Sequence, residues 1–214
     1  MKEEIILIGG GGHCKSCIDV IEKGEIFSIA GIVDVNEKVN LDVLGYKIFA
    51  TDEELPGLVK EYDFFLVTLG QIKIAEPRKK IFSFLKGLGA NLPVILSPRS
   101  SVAASSSIDE GTIVMHDVIV NSQTSIGKNC ILNNKSCIEH DVHIGDHCHI
   151  STAAIINGNC TVDEGAFIGS NSVINNGVYI GKHVVIGAGS VVIHSIEEAG
   201  IYAGNPAEKI GDIT

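Results

Sequence analysis

The sequence predicts two parts in series: a small α/β domain of Rossmann-like type over residues 1–97, then an all-β parallel solenoid over residues 98–214. Three observations carry this. An aliphatic residue recurs at every sixth position from Val102 to Val192 without an insertion. Apolar runs alternate with helical patterns before residue 97, with four glycines after the first run. Glycine is abundant (24 residues) and aromatic content low (5%), which suits a solenoid better than a sandwich or helical bundle.

The repeat reads Val102, Ile108, Val114, Val120, Ile126, Leu132, Ile138, Ile144, Ile150, Ile156, Val162, Ile168, Ile174, Ile180, Ile186 and Val192. Four residues after each hit stands a small or β-branched residue, as at Ser106, Thr112, Cys130 and Cys148. A fixed short period is the mark of a β-solenoid, because one hexapeptide buries too little by itself and gains its core by stacking. The aliphatic side chain points inward, the small residue fills the space beside it, and the residues between turn the chain with glycine or asparagine.

In the first part, Ile5-Ile6-Leu7-Ile8 reads as a buried strand, Gly9 to Gly12 as a turn, and His13 to Ile21 as a helix. Residues 29–33 form a second strand ending at Asp34, and residues 52–60 a helix. Residues 64–69 give a third strand closing at Gly70-Gln71, residues 76–86 a helix, and residues 93–96 a short fourth strand. Strand and helix at this spacing predict a small parallel sheet. After Val192 the repeat fails, and Gly204-Asn205-Pro206-Ala207 leads into a short tail.

The net charge of −10 and the lack of a basic run argue against nucleic acid or an anionic membrane as partner. The start of the chain does not read as a signal peptide, and no run is long enough to span a bilayer, so a cytoplasmic protein is expected. Three of the six cysteines (Cys130, Cys148, Cys160) fall on the small position of the repeat, where free thiols act as compact apolar groups.

A glycine turn between strand and helix lets backbone amides approach an anion, with the helix N-terminus behind them. Asp34 ends the second strand, where a ribose hydroxyl is usually held. The dinucleotide fingerprint fails at Cys14, where its last glycine would stand, so a nucleotide-containing ligand other than NAD is expected, with a plain tight turn as the alternative. Cys14 and Cys17 form a lone CxxC, a weak metal or redox signal in this setting. Histidines cluster between Ile138 and His149, outside the inward and small positions, and read as a solvated face. His147 and His183 are in register for a zinc site of the solenoid carbonic-anhydrase kind, but Ala188 stands where the third ligand is needed, and no metal is expected. His140 followed by Asp141 gives an imidazole with a carboxylate beside it, suited to general-base chemistry.

On Gly9 to His13, Tyr62 to Phe65 with Gly70, Asn133 through His149, and Gly204-Asn205-Pro206-Ala207, the chain resembles the bacterial sugar acyltransferases of the NeuD/PglD type. These pair a nucleotide-sugar domain with a left-handed parallel β-helix of hexapeptide repeats and work as homotrimers. The resemblance implies that His140 is the catalytic base, Asp141 its acidic support and Asn133 part of the acceptor site. It implies that His149 contacts the acetyl group of acetyl-CoA, with Gly158, Ser170, Ala188, Gly204, Pro206 and Lys209 along the coenzyme path. Gly11, Gly12, His13, Asp34 and Gly70 would hold a UDP-linked sugar. Cys14, Val35 and a tail with Lys209 as its last basic residue depart from the family pattern.

The activity so implied is transfer of acetyl from acetyl-CoA to the 4-amino group of a UDP-linked 4-amino-4,6-dideoxy sugar, in glycan or nonulosonate biosynthesis, with no metal. O-acetylation of sialic acid and a non-catalytic solenoid that binds a sugar nucleotide are the two alternatives. His147, read as solvated, is expected to tolerate alanine.

Overall fold

A computed structural model describes residues 2–213. In the N-terminal part, β1 (Glu3–Ile8) is followed by α1 (Gly12–Gly24) and β2 (Phe27–Val33), then a hairpin of β3 (Asp42–Val43) and β4 (Tyr46–Ala50). A single helical turn, α2 (Leu55–Leu58), precedes β5 (Phe64–Val67) and α3 (Glu76–Gly87). Among the described residues the sheet has five strands in the order β3-β4-β2-β1-β5, parallel except for the β3–β4 pair. Its centre is fully apolar: Ile5, Leu7, Ile32 and Leu66 are buried. The expected helix over residues 52–60 shrinks to a 3-10 turn and α2, because Pro56 and Gly57 sit inside it.

One strand moves between the parts. β6 (Ile95–Leu96), expected as the fourth strand of the α/β sheet, pairs instead with β9 (Ile113–Val114) and begins a face of the rod. The chain touches the edge of the α/β sheet only at Asn91, bridged to Phe64, and the two-residue β6 then leads directly into the first coil.

Among the described residues, sixteen two-residue strands, β7 (Ser101–Val102) to β22 (Val191–Val192), follow the hexapeptide period. Each pairs with the strand eighteen residues away, as Ile119 with Cys137 and Cys137 with Ile155, so three hexapeptides make one triangular coil of the left-handed β-helix. The second residue of each strand is the predicted aliphatic one; from Val114 to Val192 all of these are buried, while Val102 and Ile108 in the first coil are partly exposed.

The small position has a second role beyond filling space. Ser106, Thr112 and Thr124 donate from Oγ, and Cys130, Cys148 and Cys160 from Sγ, each to the carbonyl fifteen residues ahead. These bonds satisfy turn carbonyls that the coil would otherwise bury unpaired. A left-handed residue also recurs every six positions, from Gly111 through Asp117, Lys135, Asp141, His147 and Ala153 to Gly189. Asp141 (φ 58°) and His147 (φ 61°) are therefore corner residues. Past the rod, β23 (Ile201–Gly204) joins β21 (Val185–Ile186) in parallel and folds back as β24 (Ala207–Gly211) through a cis Asn205–Pro206 bond.

The N-terminal domain docks on the sheet that contains β9 and β21. The outward-pointing row of that sheet is covered: Ile113, Ile131, His149 and Val185 are buried. Helix α3 lies across it, with the Phe82 ring edge-on to His147 at 5.6 Å, Lys79 paired with Glu164 and Lys86 with Glu110. Helix α1 is clasped through Asp19 to His116 Nε2 at 2.6 Å.

Candidate active site

The glycine turn divides by function. A side chain at Gly9 would strike Leu69 at 2.8 Å, and one at Gly10 would meet Ile48 at 3.0 Å, so the first two glycines are required by packing. A Cβ at Gly11 or Gly12 would meet nothing within 4 Å, which leaves open space above the N-terminus of α1. Gly11, Asp34 and Gly70 line a cavity of about 280 Å³ together with Lys38, Asp52 and Leu69. Gly70 also abuts His13, whose Cβ lies 3.5 Å from where a Gly70 Cβ would be. Asp34 Oδ2 accepts from the amide of Gly10 (2.7 Å) and from Lys38 Nζ (2.9 Å), and Oδ1 from the amide of Val35. Partial burial pushes its carboxyl up, but the bonds from Lys38, Val35 and Gly10 outweigh this and hold it below the usual range. Asp34 thus shapes the glycine turn as well as facing the cavity. Lys38 carries no motif and escaped the sequence reading.

His140 and Asp141 meet as expected. Their Nδ1 and Oδ2 atoms are 2.8 Å apart on an exposed corner after β13 (Cys137–Ile138). A carboxylate oxygen accepts, so Nδ1 carries the proton and Nε2 is left with its lone pair. Beneath the ring lies Gly158, one coil on: a Cβ there would fall 2.7 Å from His140 Cε1 and 2.8 Å from Nε2. Glycine at 158 makes room for the imidazole, which gives that residue a place beside the base.

Asn133 and His149 form a second group. Asn133 Nδ2 lies 3.3 Å from His149 Nε2, His149 Nδ1 lies 2.8 Å from the carbonyl oxygen of Gln71, and the His13 ring is 6.4 Å away. Phe167 packs edge-on against His149 at 5.1 Å. Burial, with a smaller contribution from Arg78, lowers the His149 pKa to about 4 despite its bond to Gln71. Burial, His149 and Arg78 lower that of His13 to about 3. Both rings are neutral at physiological pH, and His13 Nε2 is buried without a partner. Ser170 bonds Ser151 at 2.9 Å on the same edge of the rod, and the backbone amide of Ala188 stacks 2.6 Å from where a Cβ of Gly169 would stand. Gly204 and Pro206 form the tip of the terminal hairpin, and Lys209 lies between Glu198 (2.7 Å) and Asp212 (2.9 Å).

His147 is not a solvated residue. It is 6% exposed, Asn129 Nδ2 donates to its Nδ1 at 2.9 Å, and burial lowers its pKa. The sequence places it on an outward corner, but α3 covers that corner. Cys14 and Cys17 are buried on the inner face of α1, and burial pushes both thiols up, that of Cys14 to about 11, away from the thiolate that redox or metal chemistry needs.

The two groups are separated by topology. Asn133 precedes β13 and His140 follows it, so they stand on opposite edges of one sheet, the six-stranded face that runs from β7 through β13 to β22.

A hexapeptide rod with an exposed His–Asp pair and a docked glycine-loop domain defines a hexapeptide-repeat transferase equipped for a nucleotide. Comparisons with known proteins agree. Residues 4–85 match the PglD N-terminal domain, residues 123–157 the hexapeptide repeat of succinyl-transferase, and residues 159–194 the bacterial transferase hexapeptide of six repeats. No curated protein matches the sequence. Among solved structures, a histidine-to-asparagine mutant of perosamine N-acetyltransferase from Caulobacter crescentus, in complex with CoA and GDP-perosamine, is 30% identical. It superposes with a TM-score of 0.92 over 98% of this chain and 97% of its own. The acetyltransferase domain of PglB from Neisseria gonorrhoeae, in complex with acetyl coenzyme A, is 27% identical with a TM-score of 0.90, over 98% of this chain and 100% of its own. WeeI from Acinetobacter baumannii, at 23% identity and a TM-score of 0.85 over 98% and 100%, shares the fold. The chain belongs to the PglD-type family of coenzyme A-dependent sugar N-acetyltransferases.

Proposed function

We propose that this protein transfers the acetyl group of acetyl-CoA to the 4-amino group of a nucleotide-linked 4-amino-4,6-dideoxy sugar, with UDP as the nucleotide carrier, in the cytoplasm. The observation that carries the reading is the His140–Asp141 pair, because it leaves a basic Nε2 on an open corner above a glycine. His140 Nε2 takes a proton from the amine as nitrogen attacks the thioester carbonyl. The C–N bond forms, the C–S bond breaks, and coenzyme A leaves as its thiol. Asp141 holds the Nδ1 proton and stabilises the imidazolium. The cavity lined by Gly11, Asp34 and Gly70 takes the nucleotide, with the diphosphate over the N-terminus of α1. The edge carrying Ser170 and Ala188 offers backbone rather than bulky side chains to the pantetheine arm.

The base and the acceptor-side residues lie on opposite edges of one sheet, so a complete site takes one group from each of two rods. The outward row between them is apolar and partly open, with Ile119 44% and Ile155 38% exposed. A second copy covering that row, repeated around a threefold axis, gives a homotrimer with shared sites. Screening UDP-linked amino sugars with acetyl-CoA while following thiol release tests the reading. Release that requires the 4-amino group supports it, and release with free sialic acid in its place favours O-acetylation instead.

A further inference from the structure

Among the described residues Arg78 is the largest fully buried side chain, and no carboxylate is among its hydrogen-bond partners. Nη1 donates to Gln71 Oε1 at 3.0 Å, and Nη2 to the carbonyl and Oδ1 of Asn129. A buried cation without an anion costs stability, so its position calls for a reason beyond packing.

The guanidinium is donor-only and therefore fixes every amide around it. Gln71 must turn Oε1 to Arg78, which sends its Nε2 to the carbonyl of Gly165 at 3.1 Å. Held on both sides, Gln71 presents its own carbonyl to His149 Nδ1 at 2.8 Å. A carbonyl only accepts, so His149 carries its proton on Nδ1, and its Nε2 accepts from Asn133 Nδ2. On the other side Asn129 must turn Oδ1 to Arg78, which sends its Nδ2 to His147 Nδ1. His147 thus carries its proton on Nε2. One arginine sets opposite tautomers in two histidines of the same rod.

We propose that Arg78 and Gln71 are positioning residues that hold His149 as the neutral Nδ1–H tautomer, so that its Nε2 lone pair orients the Asn133 amide in the acceptor site. In this state His149 has no N–H to give to an acetyl carbonyl; it acts as an acceptor. The titratable or charged groups facing it are His13 from α1, which is neutral, and Arg78 from α3, which disfavours a proton on its ring. The proposal deepens the acetyl-transfer reading and rests on it for its kinetic arm alone.

The test is side-chain NMR of histidine-labelled full-length protein, with His149→Gln and His147→Gln to assign the rings. Wild type is expected to show His149 protonated on Nδ1 and His147 on Nε2, with His149 not titrating between pH 8 and 5. Arg78→Met is expected to raise the His149 pKa, since a buried charge is gone, whereas Arg78→Lys keeps it low. Gln71→Ala is expected to scatter the His149 tautomer and to lower kcat/KM for the amino sugar by about tenfold or more, leaving KM for acetyl-CoA unchanged. A wild-type His149 protonated on Nε2, or one that titrates near pH 6.5, overturns the proposal without reference to any variant. So does an unchanged tautomer and kcat/KM in Gln71→Ala. A protein that acetylates no amino sugar yet keeps both tautomers refutes the proposed substrate and leaves the positioning network standing.

Discussion

His140 and His149 are nine residues apart on the same rod and live in opposite environments. The side chain of His140 is 60% exposed and bonded to a carboxylate. His149 is 7% exposed, bonded to a carbonyl and an amide, and close to a cation. Nine residues are one and a half hexapeptides, which carries the chain from a corner to the outward position of a strand on another face. The repeat fixes where each ring points. What covers that face decides its chemistry: solvent for one, the docked N-terminal domain for the other. The first is equipped to move a proton and the second to hold a geometry.

The largest effect expected is on the first. His140→Ala should lower turnover by about 10²–10⁴-fold, the usual worth of general-base assistance, with both ligands still bound. Steady-state kinetics with calorimetric binding checks this, and full turnover in that variant places the base elsewhere. Asp141→Asn keeps Nε2 but weakens its support, so a smaller loss is expected, together with a shifted pH–rate profile.

The contrast sharpens at Asp34. Asp34→Ala should weaken binding of the sugar nucleotide and loosen the Gly10 turn while leaving acetyl-CoA affinity nearly unchanged. Equal loss for both ligands means that the two sites are not divided in this way.

Smaller effects concern stability. His147→Ala removes a buried ring and its bond to Asn129, and a destabilisation of about 1–3 kcal/mol is expected by denaturant titration. Acid should act in the same direction. The folded-state pKa values of His13 (about 3) and His149 (about 4) lie below the ordinary 6.5. Below pH 6.5 the unfolded chain takes up protons that the folded chain refuses, so stability is full above about pH 6.5 and declines as pH falls toward 4. Melting temperatures between pH 8 and 4.5 follow this, and a flat profile contradicts it.

The rod was legible because its signal is periodic. The aliphatic row specifies the core, the small row specifies the bonds to turn carbonyls, and His140 falls on a corner by counting alone. The apolar runs at residues 5–8 and 64–69 make β1 and β5 legible as strands, to within two residues of their observed ends. The hairpin of β3 and β4 was not read, since its first strand is two residues long and its second carries Lys47 and an exposed Phe49. His147 was misread because an outward corner is solvated or buried according to a docking that no local pattern encodes. Gln71 and Arg78 were missed for the same reason. A glutamine in a loop and an arginine on an amphipathic helix look like surface residues until the second domain closes over them.

The proposed active site is divided between two chains. The most direct measurement mixes the His140→Ala and Asp34→Ala variants, unfolds them together and refolds them as joint oligomers. In a closed ring each site would draw its base from one chain and its nucleotide pocket from the next, so about a quarter of the sites regain both intact groups. Activity is then expected to rise well above the mean of the two parents, toward that fraction of wild type. Activity no higher than that mean means each chain builds its site alone, and the division across the rod face is wrong.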